Sequence, residues 1–349
     1  MHVLAVARPN DVLRPVDAWS VGRLLLEGHI PYRDFQFEYP PLAALAFLLP
    51  GLVPHGLAKL VLALQAVVLE LVAIAFIRRY AGALKRYLVL SFLLFPYLPG
   101  GFDAFPMAAL AVSTALFAQG SPAGWAVVAT GTMMKLSPGL AWIWCRRRPI
   151  VAAGALAVTA AVILGPVALA TNRDDDWLTY NLDRGVQVES VAASSTWVVR
   201  QLNGHPSTIE YRFKAFEIDH ASPAAALWAG AGAIGLIWIA ARARGRDAWA
   251  LALLTLDVFL VSSRVLSPQY FAWTAPLAAV VGRRTFVLHL VMAGLTVLTS
   301  SLVDHSQAFL AMAALRNAVL VGTAAWGLWR LRAPAEIPIP TSGSALAPE

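Results

Sequence analysis

Apolar segments separated by short polar breaks run along nearly the whole chain. Residues 41–53, 56–77, 87–98, 106–118, 125–144, 151–169, 223–241, 249–261, 271–281, 286–302 and 308–329 read as helices, the longest near the ~20 residues that span a bilayer core. None shows the period-two alternation of barrel strands, so the pattern predicts an all-α polytopic transmembrane bundle. One polar run stands out. Residues 28–41, GHIPYRDFQFEYPP, set Arg33, Asp34 and Glu38 among Tyr32, Phe35, Phe37 and Tyr39, then pass directly into apolar sequence. Polar chemistry at the lip of an apolar wall suits a site where a water-borne group meets a lipid-soluble one. The simpler account is an interfacial loop with its aromatics at headgroup level.

Composition agrees with a membrane protein. Of 349 residues 58% are hydrophobic and only 13% charged, and mean hydropathy is +0.64; a soluble domain carries about 25% charged residues. The net charge of +7 does not point to nucleic acid, because the basic residues fall in short clusters between apolar segments. A single cysteine, Cys145, excludes an internal disulfide, and no Cys/His metal site is evident. The N-terminus lacks the basic-then-apolar pattern of a signal peptide.

The basic clusters are Arg78/Arg79 with Lys85/Arg86, then Arg146/Arg147/Arg148, Arg242/Arg244/Arg246, Arg283/Arg284 and Arg330/Arg332. Placing all of them in the cytoplasm gives a consistent path across the membrane of a cell, with a cytoplasmic C-terminus. Segment 125–144 must then begin and end inside. It is too short for two spans and carries Lys135-Leu136-Ser137-Pro138 at its middle, where Pro138 breaks a helix. A re-entrant helix pair turning near Lys135 is expected; a single kinked span would put the Arg146 cluster outside. Non-helical backbone at that depth survives only against protein or a wet cavity. The domain expected is one membrane unit, residues 1–332, with a first external loop 1–41 and a long external loop 171–222. A Pro/Ser-rich tail, 333–349, reads as disordered and cytoplasmic. Nothing before Asp17 is apolar enough to span, so a helix preceding this start is expected to bring Asp17 outside.

The same path puts the charged and aromatic segments that lack basic clusters on the external face. Asp17 opens DAWSVGRLLL, a short amphipathic helix, and Asp103 follows GGF at another outer helix start. Each can cap its helix, or the two can share general-base work and orientation of a hydroxyl. Lys135 is costly at mid-membrane, about 2.5–3.5 kcal/mol on insertion scales. Anion binding, specifically a lipid-linked phosphate, is one role for it, and an internal salt bridge to Glu70 or Asp257 is the other. Arg184, Gln187 and Glu189 in RGVQVES offer a fork donor, an amide and an acceptor suited to sugar hydroxyls or phosphate. Arg264, Gln269 and Tyr270 stand at a further outer helix mouth. Three carboxylates, Asp174, Asp175 and Asp176, can ligate a divalent cation, although a solvated loop is the simpler account; no other cofactor is implied.

The ordered set DAWSVGRLLLEGHIPYRDFQFEYPPL, GFDAFPMAALAVSTALFAQGSPAGWAVVATGTMMKLSPGLAW, RGVQVES and SRVLSPQYFAW resembles the polyprenol-phosphate-sugar-dependent glycosyltransferases of GT-C fold. It is most similar to the actinobacterial alpha-mannosyltransferase branch, glycosyltransferase family 87. That resemblance implies a multi-pass plasma-membrane enzyme moving a hexose, mannose in that branch, from polyprenyl phosphate to a hydroxyl of a lipid or glycan acceptor, with inversion. It implies Asp17 and Asp103 as catalytic carboxylates. Lys135 matches the family's mid-membrane lysine, and with Arg184 and Arg264 it would hold the donor phosphate. Tyr32, Glu38, Tyr39, Gln187, Glu189, Gln269 and Tyr270 would shape the substrate pocket. Two other classes stand beside it. A lipid or solute transporter or flippase would show inverted repeats and midplane binding residues, and no internal repeat is visible. A non-catalytic interaction partner would lack the activity.

Overall fold

A computed structural model describes residues 17–98, 102–146, 148–169 (backbone only beyond 165), 181–212, 215–302 and 306–333. The first sixteen residues, the tail from 334, Asp174, Asp175 and Asp176, Gly100, Gly101 and Arg147 lie outside the described residues. The chain is helical almost throughout, as the apolar pattern predicts. A close-packed pair, α1 (Ala18–Leu26) and α2 (Ala44–Leu52), is followed by α3 (Ala58–Ile77), α4 (Ala83–Leu94), α5 (Ala104–Ala118), α6 (Gly124–Met134), α7 (Ala141–Trp144) and α8 (Pro149–Leu169). Then come α9 (Val191–Leu202), α10 (Ser222–Arg242), α11 (Ala248–Ser262), α12 (Tyr270–Val281), α13 (Arg283–Ser301) and α14 (Gln307–Arg330).

Helices His55–Ile77, Ser222–Arg242, Arg283–Ser301 and Gln307–Arg330 are long and apolar enough to cross a membrane. Their outer faces leave Leu64, Val68, Leu71, Leu227, Ile234 and Ile237 exposed. Apolar surface of that extent needs lipid to cover it. At the centre lies α11, apolar except for Thr255, Asp257 and Ser262, with Trp249, Leu251, Leu253, Leu256 and Leu260 buried against its neighbours. A helix with no polar face belongs in the interior.

The segment around Lys135 folds back on itself, as expected. Helix α6 rises for 11 residues, about 16 Å, and stops at Lys135, whose backbone is extended (φ −156°, ψ 135°). A 3₁₀ turn, Ser137–Leu140, and the short α7 lead back. The two arms meet at their base, where Trp125 stacks on Trp142 and the Phe117 ring packs edge-on against Trp125 and Trp144. Gly131 permits the tight return, since a Cβ there would lie 2.7 Å from Ala109 and 2.9 Å from Pro138.

Helices α1 and α2 cross just as closely. A Cβ on Gly22 would lie 2.1 Å from the Phe47 carbonyl and 2.7 Å from Gly51, and the Trp19 indole donates to the Val53 carbonyl at 2.9 Å. These contacts run the pair antiparallel, with the start of α1 beside the end of α2.

The all-α expectation needs one addition. A two-stranded antiparallel hairpin, β1 (Ile209–Arg212) and β2 (Ala215–Ile218), stands within the long loop. The RGVQVES segment lies along it through Val188 N–H to the Phe216 carbonyl (3.0 Å) and Ile218 N–H to the Val186 carbonyl (2.9 Å). Each arm is only four residues long and neither alternates in burial, so the hydrophobic pattern does not announce the hairpin.

Candidate active site

Asp17 and Asp103 occupy equivalent positions in sequence, each at a helix start, and the fold treats them differently. Asp17 caps α1: its Oδ1 accepts from the Ser20 amide (2.8 Å) and the Ser20 hydroxyl (2.7 Å). Its Oδ2 meets His55 Nε2 at 2.8 Å, and the His55 ring packs edge-on to Trp19. Burial of this carboxyl works against ionisation, but the Ser20 hydroxyl and amide and the His55 ring hold its pKa below the ordinary 3.8. Asp103 stands at the N-cap position of α5 without capping it. Its Oδ1 instead accepts from Lys135 Nζ at 2.7 Å and from the Trp273 indole at 3.1 Å. Its Oδ2 has no partner among the described residues and is not sealed from solvent.

Lys135 reaches Asp103 because α6 ends beside the start of α5. The internal salt bridge weighed for this lysine is therefore real, but its partner is not the expected one. Glu70 takes hydrogen bonds from Tyr87 and Ser91, and Asp257 faces His289 at 3.3 Å. The ammonium also sits among rings: 4.8 Å from the centroid of Tyr270, 4.9 Å from Trp273, 5.4 Å from Phe102 and 5.8 Å from Tyr39. Aromatic faces attract a cation, more strongly once it is desolvated. The side chains of Lys135 and Asp103 are 15% and 7% exposed, so the pair lies under an aromatic cover.

The run at 28–41 builds that cover. Tyr39 packs edge-on to Phe102 with centroids 4.7 Å apart, and Phe37, Phe47 and Phe102 continue the cluster. Tyr32 is buried, 2% exposed, with positive φ (68°), and its hydroxyl donates to the Tyr39 carbonyl. It supports Tyr39 from behind rather than lining the centre. Burial, with Glu38, Asp103 and Tyr270 nearby, pushes the Tyr39 phenol well above its ordinary value of 10.0, while Arg184 acts the other way. Tyr39 is thus a neutral hydroxyl. At the tip of the run Asp34 is brought down to about 2 by Arg33, which it pairs with at 2.8 Å, and by the Ile30 amide.

The remaining sequence-chosen residues divide. Tyr270 stacks on Trp273 (4.3 Å) and belongs to the centre. Arg184 and Glu38 act on it electrostatically through Tyr39. Gln187 donates to the Ser267 hydroxyl (3.2 Å) and Arg264 to the Leu182 carbonyl (2.8 Å), joining the segments around 181–190 and 263–270. Asn181 then donates to the Glu38 carbonyl (3.2 Å). Gln269 precedes α12 and makes no cap with its side chain. Glu189 is buried away from the centre, 4.0 Å from Arg316.

Asp17 does not join this group. It stands beside His55, past the C-terminal end of α2, whereas Phe47 lies against Phe102; five residues of helix, a rise of about 8 Å, and the extended Val53 and Pro54 separate those points. Sequence reasoning missed Trp273, His55, Arg316 and Asn317. Trp273 ends the SPQYFAW segment and His55 opens a span, but nothing in spacing announces their partners.

A profile of glycosyltransferase family 87 matches residues 37–268, well over half of the chain. The chain belongs to glycosyltransferase family 87. It is accordingly a membrane glycosyltransferase, and the two substrates are a sugar donor and an acceptor. No curated protein and no solved structure matches it. The matched stretch of the family 87 chain includes Glu38, Tyr39, Asp103, Lys135, Arg184 and Arg264, but neither Asp17 nor Arg316. Among the described residues no group of His, Cys, Asp or Glu is arranged to hold a metal ion.

Proposed function

We propose that this family 87 enzyme transfers mannose from a polyprenyl-phosphate donor to an acceptor hydroxyl at the Lys135 centre, on the external face, through a GT-C-type inverting displacement. The observation that carries the reading is the state of Asp103. One oxygen is fixed by Lys135 and Trp273, and the other is free to take a proton. As the acceptor oxygen bonds to the sugar carbon, its proton passes to Asp103 Oδ2 and the bond from that carbon to the phosphate oxygen breaks. Lys135, with Arg184 and Arg264 at the rim, stabilises the departing polyprenyl phosphate; preorganised charge of this kind is usually the largest contribution to catalysis. Tyr39, Tyr270 and Glu38 offer hydroxyls and an acceptor to the sugar, and Gln187 and Gln269 flank it. The aromatic cover must part for substrate, since Lys135 and Asp103 are nearly buried.

The orientation rests on charge. Arg146, Arg244, Arg246, Arg330 and Arg332 line one cavity at the far end of the bundle; basic ends face the cytoplasm, which leaves Lys135 facing outward and the C-terminus inside. Asp17, paired with His55, is the second carboxylate of the same face and orients the start of α1. The test is to incubate purified enzyme with polyprenyl-phosphate mannose and acceptor and to measure released polyprenyl phosphate. Asp103→Asn should lower kcat by about 10²–10⁴-fold and Asp17→Asn by less than about tenfold. The reverse ranking would move the base to Asp17, and no release from this donor with the wild-type enzyme would overturn the donor assignment.

A further inference from the structure

At the end of the bundle away from Lys135, an apolar groove of about 830 Å³ runs between α13 and α14. Val287, Leu288, Val319, Gly322 and Thr323 wall it, Trp326 closes one side, and Arg283 and Arg284 stand at its head. Both arginines are exposed and neither forms an ion pair or side-chain hydrogen bond with a described residue. They open α13, where Gly282 supplies no cap and the first turn carries no acid. Cations in a first turn oppose the helix dipole, so this corner is short of negative charge on both counts.

Trp326 also lines the neighbouring cavity of about 1320 Å³ that holds Arg146, Arg244, Arg246 and Arg330, and the Arg330 guanidinium lies 5.3 Å from the Trp326 ring centroid. The two acids in that cavity are already engaged. Asp247 caps the Ala250 amide at 2.8 Å, and Asp257 faces His289. An apolar channel therefore ends in an excess of arginine, with a tryptophan at the junction. The sugar-transfer centre uses none of these groups.

We propose that this groove binds one anionic lipid, its phosphate held by Arg283, Arg284 and Arg330 beside Trp326 and its chain laid between Val287 and Val319. A soluble anion would leave the apolar wall uncovered, and a zwitterionic headgroup would bring its own cation to the arginines. A phosphate monoester on an apolar chain satisfies both halves of the site.

The test is native mass spectrometry of the full-length protein in detergent, titrated with phosphatidic acid, with phosphatidylcholine of the same chains, and with inorganic phosphate. Phosphatidic acid should bind at least about tenfold tighter than phosphatidylcholine. Joint replacement Arg283→Gln and Arg284→Gln should weaken it about thirty-fold, from about one charge-worth of membrane attraction for each arginine. Gly322→Leu should weaken it about tenfold by filling the groove. A Cβ at Gly322 meets nothing within 4 Å, so the fold accommodates that change. Joint replacement of Arg78 and Arg79 by Gln, which removes equal charge away from the groove, should change binding less than about twofold. Wild-type affinity in the Arg283/Arg284 variant or in Gly322→Leu overturns the proposal. Equal binding of phosphatidylcholine, or displacement of the lipid by inorganic phosphate at matched concentration, overturns it as well.

Discussion

Removing the Lys135 ammonium should expose how much of the centre depends on a single ion pair. At 2.7 Å, with an effective dielectric of about 20, the attraction between the two charges is about 6 kcal/mol before desolvation is subtracted. Burying both groups offsets most of that, so the net worth of the intact pair is small. Lys135→Met leaves Asp103 nearly buried with only the Trp273 indole as donor, and such a broken pair costs about 3–5 kcal/mol. Asp103→Leu leaves the lysine among the rings of Tyr39, Phe102, Tyr270 and Trp273 without a counter-charge, at a similar cost. The double variant removes both charges and should lie within about 1–2 kcal/mol of the wild type. The measurement is reversible unfolding in mixed detergent micelles for the four proteins, read as a double-mutant cycle. A coupling energy above about 2 kcal/mol is expected. Additivity within about 0.5 kcal/mol, the behaviour of independent sites, would refute the claim that the two side chains form one unit.

Two further outcomes follow from Asp17 and Arg316. Asp17→Ala should cost about 1 kcal/mol by removing the cap of α1. Because the folded pKa of Asp17 lies below the ordinary 3.8, its contribution is complete above that value and is lost as pH falls through the folded pKa. The gap in thermal unfolding between wild type and variant should therefore be full at about pH 6 and narrow as pH falls below 3.8; a constant gap across that range would contradict the assignment. Arg316 is 0% exposed and donates to the Glu189 carbonyl at 2.7 Å beside Asn317, which bonds the same carbonyl at 2.9 Å and Ser194 at 2.8 Å. Arg316→Met should loosen the 184–190 loop and cost about 3–5 kcal/mol. Arg316→Lys should not restore it, since one ammonium cannot reproduce the guanidinium fork. Limited proteolysis between α9 and the loop is the readout, and unchanged cleavage would count against the tie.

The apolar pattern alone determined the helices, because a membrane leaves the backbone few other ways to satisfy its hydrogen bonds. Helix bounds expected at 56–77, 106–118, 151–169, 223–241 and 308–329 lie within a few residues of α3, α5, α8, α10 and α14. The turn at Lys135 was legible too, since Pro138 breaks a helix at that point. The ordered motifs also carried the family, which the profile match over 37–268 bears out.

What the sequence could not assign was the partner of each polar group. Asp17 and Asp103 look alike as helix-start carboxylates, yet one caps its own helix and the other turns away to a lysine 32 positions later. Capping is local, settled by the three residues that follow. Pairing with Lys135 requires α6 to stop at the depth where α5 begins, and the stacking of Trp125 on Trp142 and the close return at Gly131 set that depth. Packing likewise separates Tyr39, which faces the lysine, from Tyr32, which lies behind it. Periodicity fixes which residues are apolar and helical; only the packing of distant helices decides which charges meet.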